Sequence, residues 1–148
     1  MNESSIGKQP IPVTMAIIYQ DGKYLMQLRD NIPHILYPGV WGLFGGHLDA
    51  GEDAETGLKR ELIEEINYAV EQLKPFRTYG DNRYMRYLFS CALEVPLAEL
   101  QLNEGEDFNL LTPAEIKRGY GYSPKTDRLK PLGEIHRQIM LDFISTEA

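Results

Sequence analysis

The chain has one cysteine, Cys91, in 148 residues. A lone thiol excludes an intramolecular disulfide and is the usage expected of a reducing, cytoplasmic compartment. Cys91 lies in an apolar run, residues 87–95, where a free cysteine reads as a small buried hydrophobe rather than a nucleophile. Basic charge is also scarce. Lysine and arginine total 15 against 22 aspartates and glutamates, for a formal net charge of −7. This excludes nucleic-acid binding through a general basic surface, and an anionic substrate would need a cation to bridge it to the protein. No apolar run approaches the roughly 20 residues of a membrane-spanning helix. The first residues are polar and carry no apolar segment of the signal-peptide kind, so no membrane partner is expected. Repeats, low-complexity linkers, an EF-hand loop and a convincing Ser/His/Asp or Cys/His set are all missing. What remains is 43% hydrophobic and 25% charged. That is a globular composition at the length of one ordinary domain, residues 1–148, able to bury a core without staples.

Residues 12–20 are β-branched and apolar, Asp21-Gly22 follows, and residues 23–29 form a second apolar run. Two such runs around Asp-Gly predict a hairpin. Two prolines and a glycine make residues 31–40 a loop, and residues 41–44 a short strand running into Gly45-Gly46. Residues 53–66 predict a helix, with Asp53 as cap and Leu58, Leu62 and Ile66 spaced by four. Asn67 is its natural stop, since asparagine tolerates the left-handed conformation. Residues 76–79, 83–94 and 108–111 read as strands. Thr112-Pro113 opens a helix to about Arg118, and residues 134–144 form a last helix. Strands and helices alternate irregularly, which predicts a mixed sheet between helices, of α/β (α+β) class.

The informative segment is the first helix. Glu61, Glu64 and Glu65 are spaced i, i+3 and i+4 and share one face, where like charges repel by a few tenths of a kcal/mol per pair. Arg60 can pair with Glu64 but cannot neutralise three acids. Such a cluster suits a hard divalent cation, which takes oxygen ligands; read alone, it is more simply a solvated acidic face. Ala54 and Gly57 lie on the same face one and two turns earlier. A glycine inside a helix costs about 1 kcal/mol relative to alanine, and the bare surface leaves room for a packed strand or a bound phosphate.

The wider pattern is more specific. Five residues separate Gly46 from Glu52, and seven more lead to Arg60-Glu61-Leu62-Ile63-Glu64-Glu65. This resembles the Nudix box, a loop-helix-loop motif, at every position of residues 46–68 except the last glycine, which is Asn67 here. The preceding Trp41-Gly42-Leu43-Phe44-Gly45-Gly46 is similar to the family's entry strand, with Phe44 where proline is common. The resemblance implies a Nudix-like α/β/α sandwich with a mixed central sheet. It also implies a pyrophosphohydrolase acting on a nucleoside diphosphate linked to another group. Glu61, Glu64 and Glu65, with the backbone of Gly46, would hold Mg²⁺, for which Mn²⁺ may substitute. Arg60 would pair with Glu52 to lock the loop onto the helix. The general base would come from the helix acids, Glu61 and Glu64 among them, or from Glu104 or Glu106 in a later glycine-containing loop. Arg29, His47 and Tyr84 are candidate substrate contacts, each with an ordinary surface role as the alternative.

The substrate implied is a small nucleotide, either a nucleoside triphosphate or, from Tyr84 and Tyr87 beyond the box, a dinucleoside polyphosphate. Enzymes for ADP-ribose and nucleotide sugars are the nearest alternative, but Arg83 and Tyr84 stand where those carry a helpful proline. A non-catalytic nucleotide-binding module is the other alternative, and the complete set of box carboxylates argues against it. A monomer or homodimer with no nucleic-acid partner is expected.

Overall fold

The structure is a computed structural model that describes residues 9–30 and 38–147. Most of the expected loop at 31–40 therefore lies outside the described residues. Strand β1 (Ile11–Gln20) turns into β2 (Lys23–Leu28) through Asp21 and Gly22, whose φ angles of 51° and 76° are those of a two-residue hairpin turn with both central residues left-handed. The strands pair only from Ile18 to Gln20 and then splay apart. Into that fork runs the segment Trp41 to His47. Its first part, β3 (Trp41–Gly42), pairs with β2, and its second, β4 (Phe44–His47), pairs with β1. The single strand expected at 41–44 is thus broken at Leu43, where the chain changes partner. The Leu43 N–H leaves the ladder and donates to His136 Nδ1 at 3.0 Å.

The remaining strands complete a mixed sheet. β5 (Lys74–Gly80) and β6 (Tyr84–Ala92) form an antiparallel pair, β6 runs parallel to β1, and β7 (Asp107–Leu111) covers the other edge of β2. β1 is buried from Val13 to Ile18 without a break, as befits a strand covered on both faces. Its side chains alternate between two cores. Ala16 and Ile18 pack with Leu58, Leu62 and Ile66 of α1 (Ala54–Ile66). Val13, Met15 and Ile17 join Ile116 of α2 (Pro113–Arg118) and Ile139, Met140 and Phe143 of α3 (Glu134–Glu147). The sheet therefore lies between helices, as expected. A small hairpin, β8 (Tyr120–Ser123) with β9 (Arg128–Pro131), was not anticipated; it buries Gly121 against Leu111 and accepts the Trp41 Nε1–H on the Gly121 carbonyl at 3.0 Å. Among the described residues no helix is long and apolar enough to cross a membrane.

Local chemistry sets the ends of α1. The Asp53 carboxylate accepts the Thr56 N–H at 3.2 Å, and Asn67 takes φ 54° and ψ 40° while its N–H donates to the Ile63 carbonyl at 3.0 Å. Asn67→Gly should leave the melting temperature unchanged or slightly higher. Asn67→Val should destabilise by about 1–3 kcal/mol, because a β-branched residue resists positive φ. Equal melting curves for the two variants would show that the left-handed stop is not formed in solution.

Candidate functional site

The small residues on the acid face of α1 are used by the protein itself. Thr14 Oγ1 donates to the Ala54 carbonyl at 3.0 Å, and a Cβ on Gly57 would collide with Leu48 and come within 2.9 Å of Glu52. A packed strand and loop fill this surface, so it is not the phosphate seat that the bare helix allowed. Strand β4 passes just as closely. Gly45, at φ 150°, leaves no room for a Cβ against the Thr14 carbonyl, and a Cβ on Gly46 would fall 2.6 Å from Glu61 Oε1. The two glycines let the strand run directly over the helix carboxylates.

Arg60 ties the loop to the helix. Its Nε and Nη2 donate to the two oxygens of Glu52, both at 2.9 Å, in a bidentate fork. Nη1 donates to Glu61 at 3.1 Å and to Glu64 at 3.3 Å. The guanidinium and the Asp49 N–H hold the Glu52 carboxyl down at about 2. Glu64 is more than half exposed, whereas Glu65 is buried at 3% exposure and accepts the Gly45 N–H at 3.0 Å. Burial, followed by the charges of Glu104 and Glu61, pushes Glu65 up to about 9. Burial also raises Glu61.

Glu104 arrives on the loop after the short 3₁₀ turn Leu97–Glu99. That loop is latched at both ends. Asn103 donates its N–H to the Glu65 carbonyl at 2.8 Å and its side-chain amide to the Glu64 carbonyl at 3.0 Å, satisfying carbonyls at the helix end. Gln27 Nε2 donates to the Glu104 carbonyl at 2.9 Å, and the Glu106 N–H to the Leu28 carbonyl at 2.9 Å. Of the two loop acids considered from sequence, Glu104 is the one whose charge acts on Glu61 and Glu65.

Beside these acids a cleft of about 390 Å³ opens on the opposite face of the sheet. Gly46, His47, Glu104 and Arg29 line its charged end. Met15, Leu43 and Ile135 line the rest, together with Tyr84, Arg86 and His136. Of the candidate substrate contacts, Arg29, His47 and Tyr84 all reach the cleft, and the His47 and Tyr84 rings stand 6.2 Å apart. Sequence reasoning missed Arg86 and His136. A lone arginine inside the apolar strand β6 was the available signal for the first; His136 gave none. It is buried and pushed down to about 4, by burial first and then by Arg29 and Arg86, so its ring is neutral near pH 7, with Nδ1 accepting from Leu43.

Three carboxylates, Glu61, Glu65 and Glu104, are thus crowded beside a glycine strand next to a cleft in an α/β/α sandwich. The NUDIX domain family matches residues 9–138, and the chain belongs to it: it is a Nudix pyrophosphohydrolase. It is 30% identical over 121 residues to the nucleoside triphosphatase NudI of Escherichia coli, covering 70% of this chain and 83% of that protein. Two solved structures share the fold. A MutT NUDIX hydrolase from Burkholderia pseudomallei is 22% identical with a TM-score of 0.68, covering 90% of this chain and 98% of that one. The NUDIX domain of Shewanella oneidensis NrtR, complexed with ADP ribose, is 20% identical with a TM-score of 0.72, covering 97% and 92%.

Glu65 makes a testable demand on stability. Its folded value lies above its ordinary 4.5, so ionising it disfavours the folded state, and stability falls as pH rises from 4.5 towards about 9. His136 acts in the other window: buried neutral, it weakens the fold as pH falls from 6.5 towards about 4. Between pH 7 and 9, metal-free protein should therefore melt progressively lower, and Glu65→Gln should melt higher than the parent with a flatter profile. Parallel profiles for the two proteins would show that the carboxylate is not desolvated.

Proposed function

We propose that the protein is a Mg²⁺-dependent hydrolase that cleaves a phosphoanhydride bond of a nucleoside triphosphate. The observation that carries this reading is the crowding of Glu61, Glu65 and Glu104 beside Gly46, at the charged end of a cleft that also holds Arg29. A buried carboxylate facing two others is unfavourable by itself, and a divalent cation relieves it. Among the described residues no three acidic, histidine or cysteine side chains form a finished metal cage, and Nη1 of Arg60 sits between Glu61 and Glu64. The donor chemistry nonetheless fits: every candidate ligand is a hard oxygen, from Glu61, Glu64, Glu65 and the Gly46 backbone. The family relative named a nucleoside triphosphatase supports the substrate class.

The division of work follows from position. The Arg60–Glu52 fork fixes the loop and with it the acids. Arg29 takes phosphate oxygens at the cleft mouth. A Glu104 carboxylate oxygen accepts a proton as the oxygen of water bonds to phosphorus; the bridging P–O bond breaks, and the leaving phosphate keeps the electron pair. Bound Mg²⁺ supplies charge that neutralises the phosphates and makes water easier to deprotonate.

Hydrolysis of a nucleotide panel should require Mg²⁺ or Mn²⁺ and stop with chelator; full turnover in metal-free buffer refutes the metal role. Glu104→Gln should lower kcat by about 10²-fold or more, and Glu106→Gln should leave it near the parent's. The reverse ranking would transfer the base to Glu106. Arg60→Ala should lose both activity and thermal stability, since it leaves the Glu52 carboxylate without its fork. A variant matching the parent in both assays would remove the pair from the site.

A further inference from the structure

Arg86 is buried at 7% exposure and lines the cleft. Val13 pairs with His47 on one side and Arg86 on the other, so the three stand in one row across β4, β1 and β6 and share the cleft face. Two strand spacings, about 10 Å, separate Arg86 from His47 at the charged end. One part of its guanidinium is committed: Nη1 donates to Asp81 Oδ2 at 3.0 Å. Asp81 is itself fixed, because Oδ1 accepts the N–H groups of Arg83 and Tyr84 at 2.9 and 2.7 Å. The Tyr84 ring lies 5.3 Å from the guanidinium carbon. Nε and Nη2 make no hydrogen bond among the described residues.

A buried arginine held this rigidly, with donors to spare on a cleft wall, is built to meet an acceptor. Asp81 already balances its charge, the Tyr84 ring lies beside it, and Val13, Met15, Leu43 and Ile135 line the same cleft with a neutral His136, on which Arg29 also acts. An ion-paired guanidinium among apolar groups is a poor seat for a polyanion but a good directional donor to a neutral carbonyl. Resting on the nucleotide reading above, we propose that Arg86 selects the base. Its guanidinium reads the exocyclic oxygen at O6 of a 6-oxopurine or O4 of a 4-oxopyrimidine, so the cleft takes keto-base nucleotides in preference to amino-base ones. A guanidinium has no acceptor to offer. An adenine or cytosine amino group placed there would face donor against donor, and both would lose their water without a partner.

The test is kcat/KM for GTP against ATP and UTP against CTP, in the parent, Arg86→Met and Arg86→Lys. The parent should favour the keto member of each pair by about tenfold or more, the scale of one good base contact. Arg86→Met should lose that factor on GTP and UTP while ATP and CTP change little. Arg86→Lys, which keeps the charge beside Asp81 and still offers only donors, should retain the keto preference in weakened form, and losing that preference entirely in the lysine variant while it remains active overturns the proposal. Equal keto and amino rates in the parent overturn the proposal. A uniform loss across all four substrates also overturns it and would make Arg86 a phosphate contact or a structural ion pair. If no nucleotide is turned over, the hydrolase reading fails separately. Equilibrium binding of GMP against AMP and UMP against CMP to the parent then decides the base reading, with equal affinities overturning it.

Discussion

One hydrogen bond, from the Gly45 N–H to the buried Glu65 carboxylate, determines where the helix meets the sheet. A desolvated carboxylate is among the more costly groups to bury, and this one faces two further acids. It survives because the apolar stripe beside it, Leu58, Leu62 and Ile66, is fully buried against the same sheet. Each of those side chains contributes about 1.5–3 kcal/mol on leaving water. The stripe supplies the stability and the acid face draws on it. The double glycine is the geometric counterpart: a side chain at Gly45 would strike the β1 backbone, and one at Gly46 would strike Glu61, so the acids could not lie under the strand.

Arg60 has a different part in the same arrangement. It does not neutralise the acids as a set. Two of its nitrogens are taken by Glu52 at 2.9 Å, and only Nη1 is left for Glu61 and Glu64 at longer distances. The short contacts are the structural ones, fixing loop to helix, and the longer ones are the exchangeable ones. Glu65 receives nothing from Arg60 and relies on a backbone N–H instead. The acid whose ionised form is most disfavoured is thus the one that Arg60 does not reach.

How much of this could be read from the sequence depended on the range of the forces involved. Helix α1, its Asp53 cap and its Asn67 stop follow from neighbours within a few residues, as does the turn at Asp21-Gly22, and the structure places them as expected. The break at Leu43 was not legible, because it arises from the splaying of β1 and β2, a property of strands far away in the chain. The β8–β9 hairpin was missed for a related reason: its strands are only four residues each, and their large side chains Tyr120, Tyr122 and Leu129 stay substantially exposed while Gly121 and Ser123 turn inward, the reverse of an apolar face directed at a core. In the site, box spacing located the helix acids, but the preference between Glu104 and Glu106 depends on how Asn103 and Gln27 latch a loop, and spacing says nothing of that. Arg86 and His136 acquire their surroundings only when β6 and α3 close the cleft.

The sheet also divides the chemistry. Along β1, even-numbered residues such as Thr14 and Ala16 face α1 and its carboxylates, while Val13 and Met15 face the cleft. Among the described residues Glu104 is the acid that lines the cleft, while Glu61 and Glu65 lie against the bare strand at Gly45-Gly46. Away from that opening the apolar side chains of β1 lie between the helix carboxylates and the cleft wall, where the charge is that of Arg86, paired with Asp81. A ligand spanning the cleft meets two environments in sequence: hard oxygens and Arg29 at the opening, then an apolar wall whose polar groups, Arg86 and His136, are held by Asp81 and the Leu43 N–H. An anionic head and a flat, hydrogen-bonding body joined at roughly two strand spacings satisfy both, and that is the shape of a nucleotide.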